Sequence, residues 1–220
     1  MKKAIIDGLK LIGFFLLTQV PMAFLMAFIT LNNQSGADFS FIQLLITVIV
    51  FLAVVYLFIR WGKKRFDAQF HLSIIKDNWK IILIGFVACY GVAMLGSMIM
   101  SIQDVSNTVN QEAIDLMAAQ TPMSLMWLLA GVGAPIMEEI LFRLGIIESF
   151  FKNKPMLGLI ISSLIFALAH TPTDIGSFVL YGGLGVVLAT CYLKTRQVEV
   201  AITIHLLYNT MGVIAMYLLM

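Results

Sequence analysis

Charge is scarce in this chain. Asp, Glu, Lys and Arg make up 12% of its 220 residues, about half the share a water-soluble domain carries. So little polar surface cannot cover a folded body in water, which excludes an ordinary soluble enzyme. The net charge of +2 lacks the strong basic excess of a nucleic-acid binder, so no nucleic-acid partner is expected. Cysteine is nearly absent. Cys89 and Cys191 both lie inside apolar runs, so a disulfide framework is excluded and buried free thiols are expected. No internal repeat, low-complexity tract or linker divides the chain, and residues 1–220 read as one integral-membrane domain. What abounds is apolar: 60% hydrophobic residues, with a mean hydropathy of +0.97. The natural partner of such a chain is a lipid bilayer.

The fold class read from the sequence is all-α, a polytopic transmembrane helix bundle. A helix needs about 20 apolar residues to cross the hydrocarbon core. Runs of that kind lie near 11–31, 41–60, 80–101, 123–146, 156–172, 177–194 and 198–219, about seven spans with an eighth left open. The basic start before residue 11 leads into an apolar run too long for a signal-peptide core, so it reads as a retained first span. All 14 Lys and Arg residues fall at one side of this arrangement. Lys2, Lys3 and Lys10 precede span one, and Arg60 to Lys80 surround the loop after span two. Arg143, Lys152 and Lys154 lie around the end of span four, and Lys194 and Arg196 follow span six. Asp38, Asp104, Glu112, Asp115 and Asp174 mark the other side. By the positive-inside rule the chain is a multi-pass protein of the cell membrane, its N terminus cytoplasmic and its C terminus extracytoplasmic.

Two connecting segments carry their own patterns. Val105, Val109, Ala113, Ile114 and Met117 recur at helical spacing between spans three and four, which predicts an interfacial helix on the outer surface. Trp61, Phe66, Phe70 and Trp79 mix with Lys and Arg in segment 61–79 and read as an aromatic belt beside a topology signal. A lipid headgroup site is the sharper alternative there.

Apart from Arg60, Lys80, Lys194 and Glu199 at the very ends of spans, five acidic, basic or imidazole side chains remain inside them: Glu138, Glu139, Arg143, His170 and His205. Each is expensive in hydrocarbon and marks a site by default. Glu139 and Arg143 are four apart and can pair, while Glu138 points about 100° away from Glu139. His205 and Asn209 are also four apart, and Phe166 lies one turn before His170. A structural ion pair or interhelical hydrogen bonds would explain any one of these groups. Five on three helices favour a site.

A carboxylate with an imidazole can deprotonate water, and a second imidazole with an amide can stabilise a tetrahedral oxyanion. Two His and one or two Glu could instead hold zinc with an open position for water. There is no HExxH, so the common zincin helix is absent. Ser162 and Ser163 precede His170 without a G-x-S-x-G pattern, which weakens a serine-nucleophile reading.

Glu138-Glu139-Ile140-Leu141-Phe142-Arg143, Phe166-Ala167-Leu168-Ala169-His170 and His205-Leu206-Leu207-Tyr208-Asn209 follow one another in order. Together they resemble the E-E-x-x-x-R, F-x-x-x-H and H-x-x-x-N motifs of the CAAX protease and bacteriocin-processing (CPBP, or Abi) family of intramembrane proteases. The resemblance covers about 120–215, the expected catalytic region. It implies that Glu138 and His170 activate water, and that His205 and Asn209 hold the oxyanion. Glu139 and Arg143 would support the first motif, and Phe166 would pack beside the site. It leaves the metal question open, with Glu138, His170 and His205 as candidate zinc ligands.

The expected function is endopeptidase cleavage of a peptide or membrane-anchored protein, in bacteriocin self-immunity or peptide maturation. The alternative is a non-catalytic immunity or scaffold protein that binds a peptide or partner. Counting residues from span ends sets the site part way into the bilayer, with a cavity expected to open toward the cytoplasm.

Overall fold

The computed structural model describes the backbone of residues 2–219 and the side chains of 5–219. Lys2 and Lys3 of the charge pattern fall outside the described side chains. Among the described residues nine helical elements follow in chain order: α1 (Lys2–Ser35), α2 (Phe41–Phe66), α3 (Leu72–Asp77), α4 (Trp79–Ile102), α5 (Val109–Ala118), α6 (Met123–Glu148), α7 (Pro155–Ala169), α8 (Ile175–Thr195) and α9 (Val198–Leu219). Six of them are long and apolar enough to cross a membrane. With the shorter apolar α7, the molecule is an all-helical polytopic bundle of about seven spans, a multi-pass membrane protein. Among the described residues there is no strand.

Helix ends are set by local chemistry. Ser40 caps α2 in a reciprocal pair with Gln43, and Asp174 caps α8 in the same way with Ser177. Lys63, Lys64 and Arg65 occupy the last turn of α2, where cations offset the helix dipole. Pro155 starts α7, where its missing N–H costs nothing.

Burial sorts the helices into centre and rim. The apolar window of α6 is 67% buried, against 17% for that of α1. Helices α1, α2, α7 and α9 surround α6, while α8 packs between α4 and α7. Rim faces keep large apolar side chains exposed, among them Ile42, Ile49 and Leu52 of α2 and Ile84, Val87 and Met98 of α4. Such faces suit lipid, whose chains replace water around them.

Small residues let the α8 backbone approach its neighbours. A Cβ on Gly176 would stand 2.6 Å from the amide nitrogen of Met100, and one on Gly185 would stand 2.9 Å from Cα of Ser163. Those contacts draw α8 onto α4 and α7, as small residues do in membrane bundles.

Two connecting segments differ from expectation. Helix α5 exists, but Val109 is exposed and Ala113 points outward, while Asn110, Gln111, Ile114 and Met117 turn inward. The polar residues win the inner face because partners wait there, as described below. On the opposite side, Trp61, Phe66 and Phe70 pack against the core, with Trp61 stacked on Phe14 at 4.2 Å. Of that aromatic set Trp79 alone is exposed. Cys89 and Cys191 are free and buried, as expected.

Candidate active site

The double-glutamate turn lies in an interrupted helix. Within α6, α-helical Ala134–Glu139 is flanked by π-helical stretches, Trp127–Gly133 and Ile140–Glu148. A π turn adds a residue per turn and re-aims the side chains that follow it, which is why such turns recur at functional sites. Glycine permits the interruption to pack: the Phe51 ring of α2 occupies the space a Cβ on Gly133 would need.

Glu139 and Arg143 are fully buried and paired. Arg143 Nε donates to Glu139 Oε2 at 2.7 Å, and Nη2 donates to Oε1 at 3.3 Å. Nη1 donates to Ser162 Oγ at 3.0 Å, and that hydroxyl donates to the Phe142 carbonyl at 2.9 Å. The guanidinium also stands 5.5 Å from the Phe166 ring centre. A buried ion pair is tolerable only with its remaining hydrogen bonds met, and here α7 supplies the missing acceptor. Ser162 is therefore committed to holding Arg143.

Both motif histidines have one nitrogen fixed. His170 Nδ1 lies 2.7 Å from the Phe166 carbonyl, which can only accept, so Nδ1 carries the proton. His205 Nδ1 lies 3.0 Å from Glu139 Oε1 and donates to that carboxylate. The two Nε2 atoms then face Glu138 Oε2, at 3.9 Å for His170 and 4.0 Å for His205. Among the described residues that oxygen is buried with no hydrogen-bond partner. Three helices thus deliver Glu138, His170 and His205 to one point. Asn209 lies one turn from His205, its Nδ2 donating to the Ala130 carbonyl at 3.0 Å. One of its two amide hydrogens is thereby committed.

Rings fix the orientation of His170. Phe166 lies 4.5 Å away on one side, and Tyr181 stacks on it at 4.3 Å and 19°. The Tyr181 hydroxyl lies 2.8 Å from Thr108 Oγ1 and accepts from Asn110 Nδ2 at 3.3 Å. Sequence reading missed Tyr181. Its one signal was a hydroxyl inside an apolar span, which needs a partner once buried. Backbone strain marks the same place: Thr171, next to His170, has φ +50°, a rare value for a β-branched residue.

His170, His205, Asn209 and Tyr181 line a cavity of about 430 Å3, within the ~300–1,000 Å3 range of sites that enclose small ligands. Its wall continues through Ser101, Ser106 and Thr108 to Gln111 of α5 and Met216 of α9. The cavity therefore opens on the side of the α4–α5 connection, away from the basic loops. By the charge pattern this is the side opposite to the expected cytoplasmic opening. The depth count measured each residue from its own helix end, and the relative axial shift of α6, α7 and α9 is not contained in such counts.

The gaps of 3.9 and 4.0 Å suit a shared small polar molecule. Two groups hydrogen-bonded to one water at about 2.8 Å stand roughly 4–4.6 Å apart. Zinc at its usual bond lengths of about 2.0–2.2 Å would draw its ligand atoms to about 3.4 Å of each other. As placed, the residues fit water better than zinc, and among the described residues no group of three His, Cys, Asp or Glu meets metal-holding geometry.

The class this defines is a polytopic membrane protein with a Glu-His-His-Asn centre held inside its helices by a buried Glu–Arg pair. Residues 120–211 match the family described as Type II CAAX prenyl endopeptidase Rce1-like. This motif-bearing stretch is therefore what the chain shares with that family. UPF0177 protein YvdC of Lactococcus lactis subsp. lactis is 31% identical over 145 residues, 63% of this chain and 55% of that protein. Membrane-embedded CAAX protease MroQ of Staphylococcus aureus is 31% identical over 155 residues, 64% of this chain and 60% of that protein. Putative membrane peptidase YdiL of Bacillus subtilis is 31% identical over 132 residues, 59% and 52% of the two chains. The chain thus spans between half and three fifths of the length of these relatives. No solved structure matches.

Proposed function

We propose that this chain is an intramembrane endopeptidase that hydrolyses a peptide bond of a peptide or membrane-anchored protein with activated water. The observation that carries the reading is the convergence of an unpartnered Glu138 Oε2 with the Nε2 atoms of His170 and His205. Relatives named as a membrane-embedded CAAX protease and a putative membrane peptidase support it.

Glu138 and His170 take the proton of a water placed between them, and its oxygen attacks the scissile carbonyl. His205, when it carries a proton at Nε2, and the second N–H of Asn209 stabilise the oxyanion. The proton held by the Glu138–His170 pair then passes to the leaving amine. Glu139 keeps the His205 ring in register through Nδ1, and Arg143 keeps Glu139. The route needs no metal; Glu138, His170 and His205 remain the ligands zinc would use if it binds. The N terminus is cytoplasmic and the C terminus extracytoplasmic, and the biological setting is bacteriocin self-immunity or peptide maturation.

The test compares all peptides of cells producing the wild-type chain with those of cells producing Glu138→Gln, whose amide is nearly isosteric. Specific cleavage products should vanish in the variant at equal protein abundance. Identical peptide sets would remove the catalytic assignment and leave a non-catalytic binder.

A further inference from the structure

We infer that the site receives its substrate from the extracytoplasmic face of the membrane, and that the bond cut lies in an uncharged, extended stretch. The cleavage half of this inference rests on the function proposed above; the access half does not.

Two helices connect the charge pattern to the cavity mouth. Helix α4 starts at Trp79, beside Lys76 and Lys80, and ends at Ile102, next to the mouth residues Ser101 and Ser106. Helix α9 starts at Val198, beside Arg196, and reaches the mouth at Met216. Both run from the basic end of the molecule to the open end of the site. A second cavity of about 1100 Å3 lies at the basic end, lined by Lys63, Arg65, Lys152, Arg196 and Glu199. None of Glu138, His170, His205 or Asn209 lines it. Access and positive charge are therefore on opposite faces, and positive charge stays cytoplasmic.

The lining sets the substrate chemistry. Beyond the two imidazoles, the polar side chains around the catalytic cavity are hydroxyls and amides. Glu138 is taken up with the attacking water, and Asp115, next to the wall residue Ile114, is occupied by Asn107 Nδ2 at 3.1 Å and Gln111 Nε2 at 2.8 Å. Hydroxyls and amides can meet the N–H and C=O groups of an extended chain, whereas a charged side chain entering here would lose water without gaining a counter-charge.

The test places single cysteines in the chain in intact bacterial cells and applies a membrane-impermeant maleimide. The native thiols are buried and serve as background. Ser101→Cys and Ser106→Cys should label as fully in intact cells as after permeabilisation. Lys152→Cys should label only after permeabilisation. Two mouth positions keep the result readable if one variant misfolds. Labelling of both mouth positions only after permeabilisation, or not at all, overturns the inference. In the Glu138→Gln chain the same pattern should persist. An externally labelled mouth with no loss of any peptide would thus sink the protease reading and leave the access route standing. For the substrate, products lost in Glu138→Gln cells should be missing from the medium and cell surface, with uncharged residues flanking the cut. Loss confined to cytosolic peptides, or Lys, Arg, Asp or Glu beside the cut, would overturn that half.

Discussion

Glu138 and Glu139 are chain neighbours with opposite surroundings. Glu139 meets Arg143 and His205 through both carboxylate oxygens, whereas Glu138 leaves one buried oxygen without a partner. Substitution should separate them. Glu138→Gln should fold normally and lose turnover. Glu139→Gln should lower thermal stability in detergent, because a buried guanidinium without its counter-ion costs about 3–5 kcal/mol. Unchanged melting of Glu139→Gln would show that Arg143 does not depend on that carboxylate. The imidazoles bear on the metal. Removing one oxyanion donor costs about 100- to 1000-fold in turnover, so His205→Ala should fall by that much with no change in bound metal. Stoichiometric zinc in the purified protein, lost from His205→Ala, with activity abolished by chelation and restored by zinc, would replace water activation by the Glu138–His170 pair alone.

At the scale of elements, the site depends on how closely helices approach. Gly176 stands against α4, where an added Cβ would press on the Met100 side chain and where the nearest backbone atoms are Met100 N at 2.6 Å and the Gly96 carbonyl oxygen at 2.8 Å. Neither is the free end of a side chain, so α4 and α8 must separate to admit even a methyl group. Gly176→Ala should therefore destabilise by about 1–3 kcal/mol, the usual cost of overpacking, measured by thermal unfolding in detergent. Gly212, with nothing near its Cβ, is the control and should tolerate Ala. The motif helices were legible because ionisable residues in apolar spans are conspicuous. The π turns of α6 were not, since widening a helix by one residue leaves no mark in hydrophobic periodicity. Which residues of α5 turn inward was not legible for a related reason. Apolar spacing favoured Val109 and Ala113, but the partners that draw Asn110 inward are on α8, distant in sequence.

For the whole molecule, a helical bundle of about seven spans was legible from the sequence, because it follows from composition along the chain. The mouth of the cavity was not, because it depends on which helix ends splay and where α5 settles between them. What remains to be checked is the orientation of the bundle. An odd number of spans puts the two termini on opposite faces. Span ends that carry Lys63 to Arg65, Lys152 to Lys154 and Lys194 to Arg196 must all stay on one face for the count to hold. An eighth span before residue 123 would send at least the last two of these groups across the membrane, against the bias that sets orientation. A phosphatase that is active only outside the cytoplasm, fused after Met220, should therefore be active. The same reporter inserted between Lys152 and Lys154 should be silent, and a fluorescent protein that folds only in the cytoplasm should give the reverse pattern. A silent phosphatase at Met220 would mean that both termini share a face, and the bundle would then need an even number of spans.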